Sequence, residues 1–149
     1  MPAALSEKWD RRFIELAQHI ATWSKDPSSK VAAVIVDEHR RVVSVGFNGF
    51  PAGVSDEEVP RERKLLRVVH AEMNACAFAT APVRGCTIYV THPPCSNCAA
   101  ILIQKGIFRV VYPTPEESFK QRWHEHYSEA ILMFMEAGVK VYEMKVQPD

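Results

Sequence analysis

Charge of one sign is missing from this sequence: 18 Lys and Arg stand against 18 Asp and Glu over 149 residues, and the pI is near 7. That balance gives no single-sign field over the surface and speaks against a partner such as long nucleic acid. Long apolar runs are missing too, since Met1 to Glu7 meets charge at once and no stretch approaches the roughly 18–20 apolar residues of a membrane span. The expectation is a cytoplasmic protein with no membrane contact. Cysteine is scarce, four residues at 76, 86, 95 and 98, and in a cytosolic chain such thiols more often bind metal or do redox work than form bridges. Internal repeats, low-complexity tracts and linkers are absent. What is present, 47% hydrophobic residues over this length, suits one domain over residues 1–149 that needs no metal merely to fold. A metal found here is therefore suspected of chemistry, and small molecules become the expected partners.

Apolar residues at Trp9, Phe13, Leu16, Ala17, Ile20 and Trp23 predict a helix from Leu5 to Trp23 that Ser6 could cap. Val31–Val36 is β-branched and apolar throughout, as in a strand covered on both faces, and Arg41–Phe47 follows too closely to pair other than antiparallel. Asn48–Lys64, broken by Gly49, Pro51, Gly53 and Pro60, is expected to be loop. Beyond it the pattern predicts a helix at Ala71–Ala79, a strand at Cys86–Thr91, a helix at Ser96–Lys105 and a strand at Phe108–Tyr112. One long helical segment, Phe119–Ala137, carries Trp123, Tyr127, Ile131, Phe134 and Met135 on one side, and Gly138 ends it before the strand Val139–Tyr142. Five strands and four helices, with right-handed crossovers, predict an α/β fold: one mixed sheet covered by helices on both faces.

Pro94-Cys95-Ser96-Asn97-Cys98 places two sulfurs one turn apart at a helix start, where backbone N–H groups favour thiolates. His70-Ala71-Glu72 precedes another predicted helix and adds an imidazole and a carboxylate. His70, Cys95 and Cys98 make three zinc ligands, one fewer than a closed structural site needs. Glu72 is either the fourth ligand or the group that moves a solvent proton. H-x-E followed by P-C-x-x-C is the signature of zinc-dependent base deaminases. Cys76 and Cys86 read as ordinary core thiols. His124 and His126, two apart on a helix, read as packing or solvated residues, and His92 as a wall of the pocket.

Four separated stretches, Asp26–Asp37, Gly46–Asp56, His70–Ala75 and Tyr89–Ala99, resemble the blocks of the deoxycytidylate deaminase branch of the cytidine deaminase superfamily, in that branch's order. Gly46-Phe47-Asn48-Gly49-Phe50-Pro51 singles out that branch. The resemblance implies a three-layer α/β/α cytidine deaminase fold, five-stranded, in the order 2-1-3-4-5 with the last two strands parallel. It also implies that His70, Cys95 and Cys98 bind one zinc per chain and that Glu72 shuttles protons. Asn48 would hydrogen-bond the deoxyribose, while backbone N–H groups around Ala71 and the carbonyl of Pro93 would meet base and leaving group.

The implied reaction is hydrolytic deamination of dCMP to dUMP with release of ammonia, supplying dUMP for thymidylate synthesis. Partners implied with it are a homo-oligomeric assembly, a hexamer in the family, and the effectors dCTP and dTTP. For the 5′-phosphate the basic candidates are Lys30, Arg61, Arg63, Lys64 and Arg67, with Lys30 and Arg67 carried as the substrate-binding pair although no spacing selects among the five. Some members carry an Arg where this chain has Ala81, so that anchor does not transfer. Three rival readings stand beside this one. They are deamination of another cytosine nucleotide, dCTP or a modified dCMP; a polynucleotide deaminase, disfavoured by balanced charge; and an inactive zinc-stapled binding module, which would not need Glu72.

Overall fold

The computed structural model describes residues 7–145. The expected strand Val31–Val36 is β1 (Ala32–Val36), and all five of its residues are buried. Its side chains alternate between two cores. Ala33 and Ile35 join the cluster of Ala71, Ala75, Ile88, Val110 and Phe134, whereas Ala32, Val34 and Val36 join Phe13, Ala17, Ile20 and Val111. A strand feeding both cores must lie inside the sheet, and β1 pairs antiparallel with β2 (Val42–Phe47) on one side and β3 (Thr87–Val90) on the other. Parallel pairing then adds β4 (Arg109–Pro113) and β5 (Lys140–Met144), so the order β2-β1-β3-β4-β5 is the predicted one.

Helix α1 (Glu7–Ala21) covers one face through Phe13, Ile14, Ala17 and Ile20. It stops before Trp23, which is exposed, and the expected cap Ser6 lies outside the described residues. The opposite face carries α3 (Ala71–Ala77), α4 (Ser96–Gln104) and α6 (His124–Ala137). Gly138 closes α6 at φ 79°, a left-handed backbone that suits glycine, and the Val139 N–H reaches back to the Phe134 carbonyl at 2.9 Å. No helix among the described residues is long and apolar enough to cross a membrane.

Two expectations are corrected. The segment read as loop to Lys64 gives way at Arg61 to helix α2 (Arg61–Arg67), which starts after Pro60 and buries no side chain, so it leaves no apolar stripe for periodicity to detect. The segment read as one helix over Phe119–Ala137 is two, α5 (Glu117–Arg122) and α6, because Trp123 leaves the helical region at φ −112°, ψ 24°. Neither Pro nor Gly marks that break. Ala130 and Phe134 reach the core, but Met135, expected on the packed side, is 69% exposed.

Candidate active site

Two helix starts meet at the edge of the sheet where β3 ends and β1 begins. His70 is the N-cap of α3 and Cys95 the N-cap of α4, both in extended backbone, which puts Glu72 at the second position of one helix and Cys98 at the third of the other. The Cys95 sulfur caps its helix by accepting the Cys98 N–H at 3.5 Å, the role a Ser or Thr oxygen usually plays. His70 Nδ1 lies 3.5 Å from Cys95 Sγ and 3.3 Å from Cys98 Sγ, and the three donor atoms lie within 4.8 Å of one another.

Tetrahedral zinc with Zn–S near 2.3 Å and Zn–N near 2.0–2.1 Å separates its nitrogen and sulfur ligands by about 3.6 Å, so this donor set fits the ion. The proton distribution agrees. Hydrogen bonding to Cys98, and then to His70, draws the Cys95 thiol down to about 3, while the hydrogen bond to Cys95 and burial push Cys98 far up. The hydrogen bond to Cys95 likewise raises His70. A cluster that shares protons in this way is one from which a dication displaces them.

Glu72 is 4% exposed, and burial pushes its carboxyl up to about 7 against a hydrogen bond from its own backbone N–H. It borders a cavity of about 350 Å³ together with His70, Ala71, His92, Pro93 and Cys95. Asn48 lines the same cavity; its Oδ1 accepts the Val31 N–H at 2.9 Å and its Nδ2 donates to the Ser29 carbonyl at 2.8 Å. Backbone bonds between Gly49 and Val69, at 3.1 and 2.8 Å, bind that block to the approach to His70.

Of the five basic candidates only Arg61 and Lys64 border the cavity. Arg61 Nη1 donates to Ser28 Oγ at 3.0 Å, which ties α2 to the turn Asp26–Ser29 on the cavity wall. Lys30 and Arg67, the pair carried for substrate binding, are next to lining residues but do not line the cavity themselves: Lys30 Nζ donates to the Ser24 carbonyl, and Arg67 Nη1 donates to the Ser55 carbonyl at 3.1 Å. Sequence patterning missed Phe119 and Trp123, which complete the wall from α5 and the break after it. Trp123 was expected on the packed side of one long helix, whereas the break at that residue leaves it on the cavity wall. Cys76 and Cys86 stay outside the donor cluster, as does His124.

A three-layer α/β/α domain whose helix starts present His, Cys and Cys beside a buried acid defines a zinc-binding hydrolase class. The model of the cytidine and deoxycytidylate deaminase zinc-binding region matches residues 7–114, and the chain belongs to that family. An Aliivibrio fischeri protein described as an uncharacterized deaminase in the luxG 3′ region is 51% identical over 136 residues, covering 90% of this chain and 92% of that protein. The deoxycytidylate deaminase of Mus musculus is 39% identical over 141 residues, covering 89% and 77%. In structure, the dCMP deaminase of cyanophage S-TIM5 superposes with a TM-score of 0.75 at 23% identity, covering 94% of this chain and all of that one, and so shares the fold.

Proposed function

We propose that this protein hydrolyses dCMP to dUMP and ammonia. The observation that carries this reading is that one cavity holds both chemistries: Glu72, His70 and Cys95 at the helix starts, and the cations Arg61 and Lys64 from α2. At about 350 Å³ the cavity sits near the low end of the range for small-molecule sites, roughly 300–1,000 Å³, which suits one nucleotide better than a strand.

His70, Cys95 and Cys98 would hold the zinc. When bound, the metal supplies Lewis acidity that brings the pKa of water toward neutrality. Glu72 takes the proton from the attacking water and delivers it to N3 of the cytosine as oxygen adds at C4. Glu72 then takes the proton of the C4 hydroxyl and passes it to the departing amine, the C4–N bond breaks, and ammonia leaves a uracil carbonyl behind. Ala71, at the first position of α3, offers a backbone N–H, and Pro93 a carbonyl, beside the base. Asn48 keeps one amide hydrogen and one lone pair beyond its two backbone bonds for the deoxyribose. Arg61 and Lys64, rather than Lys30 and Arg67, then serve the 5′-phosphate.

The reading extends to a homo-oligomer in the cytoplasm with dCTP and dTTP as effectors. Exposed apolar side chains on neighbouring helices, Ile101 on α4 with Leu132 and Met135 on α6, support the assembly. The deciding experiment is to incubate zinc-loaded protein with deoxycytidine, dCMP, dCTP and a cytosine-containing single strand while following ammonia release. Turnover of dCMP far above deoxycytidine, with Arg61→Ala raising KM for dCMP alone, is expected. Equal turnover of nucleoside and monophosphate would overturn the phosphate assignment, and no turnover at all would overturn the enzyme.

A further inference from the structure

Outside the donor cluster, one contact joins the metal-binding turn to a distant element. His126, in the first turn of α6, reaches Ser96, which lies between the two cysteines. Its Nδ1 is 3.2 Å from the Ser96 backbone nitrogen and 2.8 Å from Ser96 Oγ. A backbone N–H can only donate, so Nδ1 is the acceptor. Ser96 opens α4, and its N–H is one of those that a helix start leaves without an intrahelical partner. Two of these N–H groups are thus used at the α4 start, Ser96 by His126 and Cys98 by the Cys95 sulfur.

We infer that His126 is a positioning residue for the zinc ligands. Cys95 and Cys98 share one turn, whereas His70 stands on another helix start, so the separation of sulfurs from imidazole depends on where that turn is held. Capping by Cys95 orders the turn internally but does not fix it against the rest of the molecule. The bond from His126 does. It also reaches the cavity wall, because the His126 ring stands 6.3 Å from Trp123, whose ring is 6.4 Å from Phe119, which in turn faces His92 at 6.0 Å. Partners that orient a metal-binding group without touching the ion commonly change its retention by about 10–100-fold when removed.

The test reads zinc release from the intact, loaded chain into a chromogenic chelator. No substrate is involved, so the outcome is independent of whether dCMP is turned over. His126→Ala is expected to release zinc at least about tenfold faster. His126→Asn, which can place an acceptor near the position of Nδ1, is expected to restore much of the wild-type rate, and Glu136→Ala on the exposed side of α6 to leave it unchanged. Should His126→Ala fail to fold, Ser96→Pro decides. It removes the same N–H at a helix position that accepts proline, and Cys95 already has the extended backbone, φ −71° and ψ 168°, that a following proline requires. Faster release from Ser96→Pro supports the assignment. Wild-type release from a folded His126→Ala or from Ser96→Pro, or an Asn variant no slower than Ala, overturns it.

Discussion

Asn48 grips the backbone leading into β1, with Val31 N–H donating to its Oδ1 at 2.9 Å while its Nδ2 donates to the Ser29 carbonyl at 2.8 Å. One buried side chain thus fixes the turn that carries Ser28 and, through it, Arg61. Asn48→Asp keeps the shape but sets an oxygen against the Ser29 carbonyl, so an acceptor faces an acceptor in a site 7% exposed. The expected cost is about 1–3 kcal/mol of stability, and KM for dCMP should rise as well. Calorimetry and steady-state kinetics on zinc-loaded protein check both. An unchanged melting temperature would show that the turn does not depend on Asn48.

Gly46 on β2 has no room for a side chain. A Cβ there would sit 2.4 Å from the Ala75 nitrogen and 2.6 Å from the Ala71 carbonyl oxygen, both backbone atoms of α3. Gly46→Ala must push α3 away from the sheet, and α3 carries Glu72 and starts at His70. Overpacking of this kind costs roughly 1–3 kcal/mol or more. Activity should fall further than stability alone accounts for, measured as kcat below the melting transition. Wild-type kcat in a folded Gly46→Ala protein would show that α3 can shift without disturbing the site.

The reach of the sequence can be judged from these residues. Val31–Val36 announced a strand covered on both faces because both of its faces are buried, whereas the sheet order came from the family resemblance and not from any one strand. His70, Cys95 and Cys98 were legible because helix starts turn short spacings into shared space. Arg61 and Lys64 were candidates but could not be chosen, since only the course of a helix without a buried face brings them to the cavity. Phe119 and Trp123 were hidden by a helix break that no Pro or Gly marks. Asp10 was overlooked because it is one of six charged residues on an amphipathic helix and its partner Arg109 lies 99 positions away.

That pair supplies a stability prediction remote from the cavity. Arg109 Nη1 donates to Asp10 Oδ1 at 2.9 Å and Tyr89 Oη donates to the same oxygen at 2.7 Å, all three groups being buried. Removing one partner strands the other charge, so Asp10→Ala should cost about 3–5 kcal/mol. Replacing all three polar groups together, as Asp10→Leu, Tyr89→Phe and Arg109→Met, should be more stable than Asp10→Ala, because desolvation of two charges no longer opposes folding. Urea midpoints compare them. A triple variant weaker than the single would show that the hydrogen-bonded network outweighs its desolvation.

The metal cluster and the buried acid should separate cleanly by mutation. Cys95→Ala takes away a donor, and with it the N-cap of α4, so it should lose zinc and lower the melting temperature together. Chelation of the wild type should lower that temperature in the same way, and added zinc should restore it, since a ligand that binds only the folded state stabilises it by mass action. Glu72 lies beside the three donor atoms without belonging to their cluster. Glu72→Gln keeps the volume and removes the proton carrier, so the variant should retain one zinc per chain while kcat/KM falls by about 10²–10⁴-fold. Metal content by atomic emission, paired with ammonia release, reads both variants. If Glu72→Gln came out metal-free, Glu72 would be a fourth ligand, and the proton transfers would need another carrier.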